Sequence, residues 1–232
     1  MAHPDYHVHW FGGTAAKHAK RGDEVYMISA TAGEMGQPEQ KMSLEEFGKI
    51  KSKEAEKGAK ILGAEEFRVL GFKDTQVTNT PELRNTVLGT IRELKPDIVV
   101  SHWPNDAHPD IAEMGEAVVA ACFFAPLGAV KTEHPVHTVK KIYAYDVSAS
   151  SIGLEPDFIV DITETHETKA KAAEAFKTVV DVEFKGDMQR WVNVSLGHNL
   201  YWGQQSGVKY AEPFKEVMLH GLRKRATGYL MI

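Results

Sequence analysis

Short apolar runs alternate with longer helical stretches along the chain, and this alternation constrains the fold more than any other feature. Residues 23–30 (DEVYMISA) and 97–101 (DIVVS) are predicted strands. The second is an apolar run of the kind that lies buried in a parallel sheet. Helices are predicted at 43–62 and 81–94. We therefore expect an α/β fold: a Rossmann-like, mostly parallel sheet with helices on both faces, in one domain over 1–232.

Later segments extend the same pattern. Residues 139–146 and 158–162 are predicted strands, and 163–180 are predicted to form one long helix. The stretch from residue 187 onward is rich in Trp and Tyr, which suits the wall of a pocket or a contact between subunits of a homo-oligomer.

Charge and composition exclude several classes of function. The 27 Lys and Arg residues are outnumbered by 32 Asp and Glu, and a net charge of −5 disfavours a nucleic-acid partner. A single cysteine, Cys122, excludes an internal disulfide. No apolar run is long enough to span a membrane, and no secretory signal is visible. We expect a cytoplasmic protein that acts on a small molecule.

The chain begins with polar residues where a strand is expected. His3-Pro4-Asp5 resembles the carboxyl end of a strand, yet only Met1 and Ala2 precede it. Either the first strand is missing from this sequence or the start was assigned too late. A parallel sheet that lacks a central strand leaves unpaired backbone groups in its core, which is costly. We expect the first strand to be truncated.

Two His-Pro-Asp tripeptides are the candidate catalytic or metal-binding motifs. The first is at His3 and the second is His108-Pro109-Asp110, each after a real or implied strand. Proline stiffens each loop, so two such loops at neighbouring strands would bring histidines and carboxylates to one crevice. That set can bind a divalent metal, activate water and protonate a leaving group. Alternatively, each is a turn whose Asp caps the next helix. Two copies at equivalent places favour the site.

Seven segments together carry a family resemblance: AHPD with GGT, EVYMISATAGE, KEAEKGAKILGA, KPDIVVSHWPNDAHPD, GEAVVAACFFA, PDFIVDIT and KYAEPF. With these segments, which cover nearly the whole chain, the sequence resembles the PIG-L/LmbE-like family of zinc-dependent de-N-acetylases. The resemblance implies a Rossmann-like fold, a divalent metal, expected to be zinc, and removal of an N-acetyl group from an amino sugar or related small amide.

The resemblance also implies residue roles. His3 matches a metal ligand, Asp5 matches the general base, and His108 matches the general acid or electrostatic stabiliser. The two other metal-ligand positions of the family are occupied by Tyr6 and Ile111. Tyr is a weak ligand here and Ile cannot ligate, so His3 alone cannot hold zinc tightly.

Three explanations of this departure stay open. The metal site is rebuilt with other ligands, among them His7, His9, Asp5, Glu34 or His108; a helix starting near Asp5 would put His9 on the same face and His7 on another. The protein performs metal-independent acid–base chemistry. Or it has lost catalysis and only binds a ligand.

Supporting and alternative roles complete the hypothesis. Asp106 and Asp110 are expected to orient the histidines. Glu34, Lys51 and His198 are expected to line the pocket, with Lys51 at a position where the family usually has Arg. The same family includes a hydratase of an unsaturated oxo-dicarboxylate, so hydration is the alternative reaction, with Lys51 or Arg190 as the carboxylate anchor.

Overall fold

The computed structural model describes residues 1–147 and 150–217. The helices in these residues are α1 (Tyr6–His9), α2 (Gly12–Arg21), α3 (Leu44–Ile61), α4 (Pro81–Leu94), α5 (Pro109–Phe124), α6 (His166–Ala173), α7 (Lys177–Glu183), α8 (Met188–Val192) and α9 (Leu196–Ser206). The strands are β1 (Tyr26–Thr31), β2 (Glu66–Phe72), β3 (Ile98–His102), β4 (Lys141–Tyr145), β5 (Phe158–Asp161) and β6 (Ala211–Glu216).

The strands form two sheets. β1 pairs with β2 in parallel, and a second sheet has the order β3-β4-β6-β5. β3 and β4 are parallel, whereas β6 runs antiparallel to both β4 and β5. The α/β class is confirmed, and the expected parallel pairing holds for the strands β1 to β4.

Local sequence determines where two of the long helices begin. The Ser43 side chain accepts the N–H of Glu46 at the start of α3, and the Thr80 side chain accepts the N–H of Leu83 at the start of α4. Pro81 occupies the first position of α4, where its missing N–H removes no helical bond. Both helices lie where the sequence predicts them.

A gap separates the two sheets between β1 and β3. The Met1 ammonium donates to the Ile28 carbonyl (2.8 Å), and the Ala30 N–H donates to the Met1 carbonyl (2.8 Å). Met1 and Ala2 thus occupy the end of the gap nearest the carboxyl ends of the strands. The rest of the gap is a cavity of about 460 Å³. The expected truncation of the first strand stays a prediction.

The prediction of one helix over 163–180 is wrong, because the chain forms α6 and α7 instead. The break is at Phe176, whose backbone leaves the helical region (φ −85°, ψ 57°). Phe176 is fully buried in a core cluster with Phe47 and Trp191. Burial of this ring outweighs helical continuity. In the described part of the chain, no helix combines the length and apolar character needed to cross a membrane.

Candidate metal and catalytic site

The two His-Pro-Asp loops meet. The rings of His3 and His108 lie 4.9 Å apart, edge to face. Asp106 holds the second loop, because its Oδ1 accepts the His108 N–H (2.9 Å) and its Oδ2 accepts the hydroxyls of Ser150 and Ser151 (both 3.1 Å). The structure therefore brings together the two histidines that the sequence singles out and places Asp106 as a support of His108.

A buried cluster of three side chains surrounds the His3 ring nitrogen. His3 Nε2 lies 3.0 Å from Asp74 Oδ1 and 3.2 Å from Asp110 Oδ2. All three side chains are buried, and their donor atoms lie within 4.8 Å of one another. Among the described residues, no other group of three His, Cys, Asp or Glu side chains meets that spacing. One imidazole and two carboxylates are a donor set for a divalent cation.

Asp74 is the member of this cluster that sequence reasoning missed. It lies in the turn after β2, where Glu34 Oε1 accepts the Asp74 N–H (2.9 Å). The next residue, Thr75, has a positive φ of 66°, rare for a β-branched side chain, and its N–H donates to Asp110 (2.8 Å). Strained backbone of this kind is often found at functional sites. The only sequence feature that could have indicated Asp74 as a site residue is its position just beyond the carboxyl end of β2.

Electrostatics favour a positive charge inside the cluster. Burial alone would lower the pKa of His3, but hydrogen bonds to Asp110 and Asp74 outweigh it and raise that pKa to about 9. Burial would raise the pKa of Asp74, but its bond to His3 holds that pKa below the usual range. The Met35 N–H also donates to Asp74 Oδ2 (2.9 Å). Asp74 thus remains charged, and a cation beside it is stabilised.

Asp5 forms a second charged group with Lys51 and Glu183. Lys51 Nζ lies 3.3 Å from Asp5 Oδ1 and 3.2 Å from Glu183 Oε1. Burial would raise the pKa of Asp5, but Lys51 and then His3 lower it to about 2. The Lys51 side chain passes so close to Gly33 (φ +66°) that a Cβ there would lie 3.0 Å from Lys51 Cε. Lys51 is therefore tightly enclosed and neutralised by carboxylates.

His102 holds the first His-Pro-Asp loop by a hydrogen bond to its backbone. Its Nε2 accepts the Ala2 N–H at 2.7 Å, immediately before His3. Because Nε2 is then an acceptor, the ring proton lies on Nδ1 and is donated to the Tyr145 hydroxyl (2.7 Å). Burial holds the pKa of His102 well below its usual value, which keeps the ring neutral. The sequence pattern gives no indication of this role for His102.

Two of the proposed replacement ligands lie elsewhere. The His7 ring packs against Phe67 (5.5 Å) and Phe176, and the His9 ring packs against Trp191 (4.3 Å). Neither belongs to the cluster around His3. Both histidines lie on α1, where successive side chains are rotated by about 100° around the helix axis. Their side chains therefore need not point in the same direction as that of His3, although they are close to it in the sequence. In a rebuilt metal site, the candidate ligands beside His3 are therefore Asp74 and Asp110, and not His7 or His9.

The remaining predicted site residues have different surroundings. The Tyr6 ring lies 5.4 Å from the His3 ring, whereas Ile111 is buried in the core. Glu34 Oε2 is buried without a hydrogen-bond partner. His198 Nε2 lies 2.8 Å from Asp146 Oδ2 and its ring packs against Trp10. His198 thus contacts α1's end and β4's end, outside the His3 cluster.

Fold and site together define a class: an α/β protein with a buried donor set for a divalent cation near the carboxyl ends of parallel strands. Residues 1–122, more than half of the chain, match the model of the PIG-L family, described as GlcNAc-PI de-N-acetylase. The chain belongs to the PIG-L family, as the sequence resemblance predicts.

Known proteins resemble this chain over most of its length. The diacetylchitobiose deacetylase of Thermococcus kodakarensis is 28% identical over 224 residues, which is 93% of this chain and 80% of that protein. The N,N'-diacetylchitobiose deacetylase structure from Pyrococcus horikoshii has a TM-score of 0.81 at 26% identity and covers 93% of this chain and 80% of its own. The 4-carboxy-2-hydroxymuconate hydratase of Pseudomonas putida KT2440 has a TM-score of 0.80 at 20% identity and covers 100% and 97%, a likeness of fold alone.

Proposed function

We propose that this protein is a metal-dependent deacetylase that hydrolyses the N-acetyl group of an amino sugar or a related small amide. The observation that carries the proposal is the buried cluster of His3, Asp74 and Asp110 beside the His108 ring. Membership of the PIG-L family and similarity to two diacetylchitobiose deacetylases support the same reaction.

The residues of the cluster fit a divalent cation. Nitrogen from His3 and one carboxylate oxygen each from Asp74 and Asp110 provide the three protein ligands that a catalytic zinc site typically has. The unpartnered Glu34 Oε2 adds negative charge to the same region. Asp74, from the turn after β2, and Asp110, the neighbour of Ile111, would take the place of the family's ligands at the Tyr6 and Ile111 positions. When bound, the cation polarises water and the acyl carbonyl.

Two further residues perform proton transfer. Asp5 accepts a proton from the attacking water, and Lys51, 3.3 Å away, holds the Asp5 carboxylate in place. Water oxygen bonds to the acyl carbon, the C–N bond breaks, and the products are acetate and a free amine. His108, half-buried beside His3, stabilises the developing oxyanion and delivers the proton to the leaving nitrogen. Asp106 positions the His108 backbone.

The charge of the site weighs against hydration of an oxo-dicarboxylate. That reaction requires a cation to anchor a substrate carboxylate, and Lys51, one of the two predicted anchors, is already paired with Asp5 and Glu183 and is almost fully buried. Asp74 and Asp110 add further negative charge to the region. A neutral amino sugar meets no such repulsion.

Amine release from N,N'-diacetylchitobiose and N-acetylglucosamine, measured on protein supplied with zinc, tests the proposal. Asp74→Asn should reduce activity and stoichiometric metal content together, while the matched Asp97→Asn, an exposed carboxylate paired with Lys140, should change neither. Stoichiometric metal in Asp74→Asn would show that the ligand set is wrong. Amine release at the rate of the uncatalysed reaction, with metal bound, would show that the reaction is wrong.

A further inference from the structure

Glu183 lies at the end of α7 and reaches the proposed general base through a single lysine. Lys51 Nζ donates to Glu183 Oε1 (3.2 Å) and lies 3.3 Å from Asp5 Oδ1. The Lys51 side chain is only 5% exposed, whereas the side chains of Asp5 and Glu183 are both 19% exposed. One enclosed ammonium group is therefore shared by two carboxylates that remain partly open to solvent.

The two oxygens of the Asp5 carboxylate have different surroundings. Oδ1 faces Lys51, is buried, and accepts no hydrogen bond from any described residue. Because the side chain as a whole is 19% exposed, the open side of the carboxylate is that of Oδ2. The hydrogen bond of Lys51 goes to Glu183 instead, so the ammonium stabilises the charge of Asp5 without donating to either of its oxygens.

Two neighbouring segments place Glu183 beside Lys51. Glu54 lies three residues after Lys51 on α3, and its oxygens accept two N–H groups near the start of α7 (2.7 and 3.3 Å). Gly36 lies against the ion pair itself, because a Cβ there would be 2.6 Å from Glu183 Oε1 and 3.1 Å from Lys51 Nζ. α3 thus holds both ends of α7, and the glycine leaves room for the pair.

We propose that Glu183 is a positioning residue of the catalytic site, which holds the Lys51 ammonium on the Oδ1 side of Asp5 so that Oδ2 remains free to accept the proton of the attacking water. The inference rests on the proposed deacetylase function and deepens it. Without Glu183, the ammonium loses its acceptor and donates to Asp5 directly, in a shorter, charge-assisted hydrogen bond. A carboxylate that already accepts such a bond is a weaker base.

Loss of Glu183 should leave the fold and the metal site intact. Asp5 still neutralises the buried Lys51 when Glu183 is absent, and α7 remains attached to α3 through Glu54. Glu183 also lies outside the buried cluster of candidate metal ligands. A purely structural role would therefore change stability without changing the turnover of folded, metal-loaded protein.

The first test compares Glu183→Ala with Glu183→Gln in amine release from N,N'-diacetylchitobiose by protein loaded with zinc. The alanine variant should lose kcat by about 10- to 100-fold with KM and bound zinc unchanged, because it removes the acceptor and contacts no substrate. The glutamine variant keeps an acceptor oxygen and should retain most of the rate. Asp181→Ala, an exposed carboxylate on the same helix, is the matched control and should change nothing.

Gly36→Ala perturbs the same pair without removing a charge. Its Cβ would displace Glu183 Oε1, so kcat should fall as in Glu183→Ala. The matched control is Gly128→Ala, whose Cβ would meet nothing within 4 Å apart from its chain neighbours. Crystal structures of the parent and of Glu183→Ala, both without substrate, locate the ammonium independently of any reaction. We expect the distance from Lys51 Nζ to an Asp5 oxygen to shorten to about 2.8 Å in Glu183→Ala.

Other results overturn the proposal. Parent kcat in Glu183→Ala would remove Glu183 from the reaction, and a raised KM with unchanged kcat would place it in contact with substrate. Loss of zinc together with activity would make it a support of the metal site. A glutamine variant as slow as the alanine variant, or an unmoved Lys51, would show that the hydrogen bond is not the cause. No amine release by the zinc-loaded parent refutes the deacetylase function, and with it this role, even where the Lys51 distance shortens as expected.

Discussion

Replacing Glu212 with glutamine would remove the charge that organises the start of α2, directly after the loop that carries the site. Glu212 is fully buried in β6. Its oxygens accept the N–H groups of Gly13 (3.0 Å) and Thr14 (2.8 Å), and Lys169 Nζ lies 2.8 Å from Oε1. Two sequence segments far apart in the chain, GGT and KYAEPF, are thereby joined in one buried contact.

The expected loss of stability follows from the unpaired charge that Glu212→Gln would create. The Lys169 ammonium is buried and retains Asn199 as its partner, but its counter-charge is lost. Breaking a buried ion pair by removing one partner destabilises a protein by about 3–5 kcal/mol. For a chain of this size each kcal/mol lowers the melting temperature by roughly 2–4 °C, so we expect a fall of about 6–20 °C.

Equilibrium unfolding in urea and calorimetry, both at fixed metal content, measure this loss. The matched control is Glu167→Gln on the same helix as Lys169. Glu167 pairs with Lys171 on the exposed face of α6, and its loss should change neither midpoint measurably. A double variant with Lys169→Met should be less destabilised than the sum of the two single changes by about 1–3 kcal/mol.

A free energy of unfolding for Glu212→Gln within about 1 kcal/mol of the parent would refute this reasoning. It would mean that the helix start and Lys169 are held by other contacts. Additive effects in the double variant would contradict the claim that Glu212 and Lys169 act as a pair.

Three further predictions concern single positions. His102→Phe removes the acceptor of the Ala2 N–H and should weaken zinc affinity about tenfold, measured by competition with a chelator. Burial lowers the pKa of His9 to about 3, so the unfolded chain takes up a proton that the folded chain does not. His9 should therefore contribute a fall in stability of up to ~1.4 kcal/mol per pH unit as pH drops from about 6.5 towards 3, and His9→Phe should reduce the slope in denaturant titrations by that amount. Gly13→Ala places a Cβ 2.7 Å from Ile162 and should destabilise by about 1–3 kcal/mol in urea unfolding.

Each of these three has a contrary result. Unchanged zinc affinity in His102→Phe would remove His102 as a support of the first loop. A pH slope that is the same with and without His9 would show that other groups take up the protons. A fully stable Gly13→Ala would show that the backbone of α2 can move away from Ile162.

Secondary structure was largely predictable because its causes are local. The Ser43 and Thr80 caps and the proline that opens α4 act within one turn of the chain, so α3 and α4 lie where the pattern predicts them. One exception is β6, a strand that the sequence pattern does not predict, and another is the helix expected over 163–180. Its break at Phe176 depends on a core formed with Phe47, which is far away in the chain.

The sequence by itself determined the α/β class, the family, and the meeting of His3 with His108, because strand ends and stiff His-Pro-Asp loops are local patterns. Only the tertiary structure decided that Asp74 and Asp110 surround His3 while His7 and His9 lie in the core. Which side chains share a cavity depends on the direction in which each loop leaves its strand. That direction is set by the packing of segments that are distant in the sequence, so it cannot be inferred from the spacing of residues along the chain.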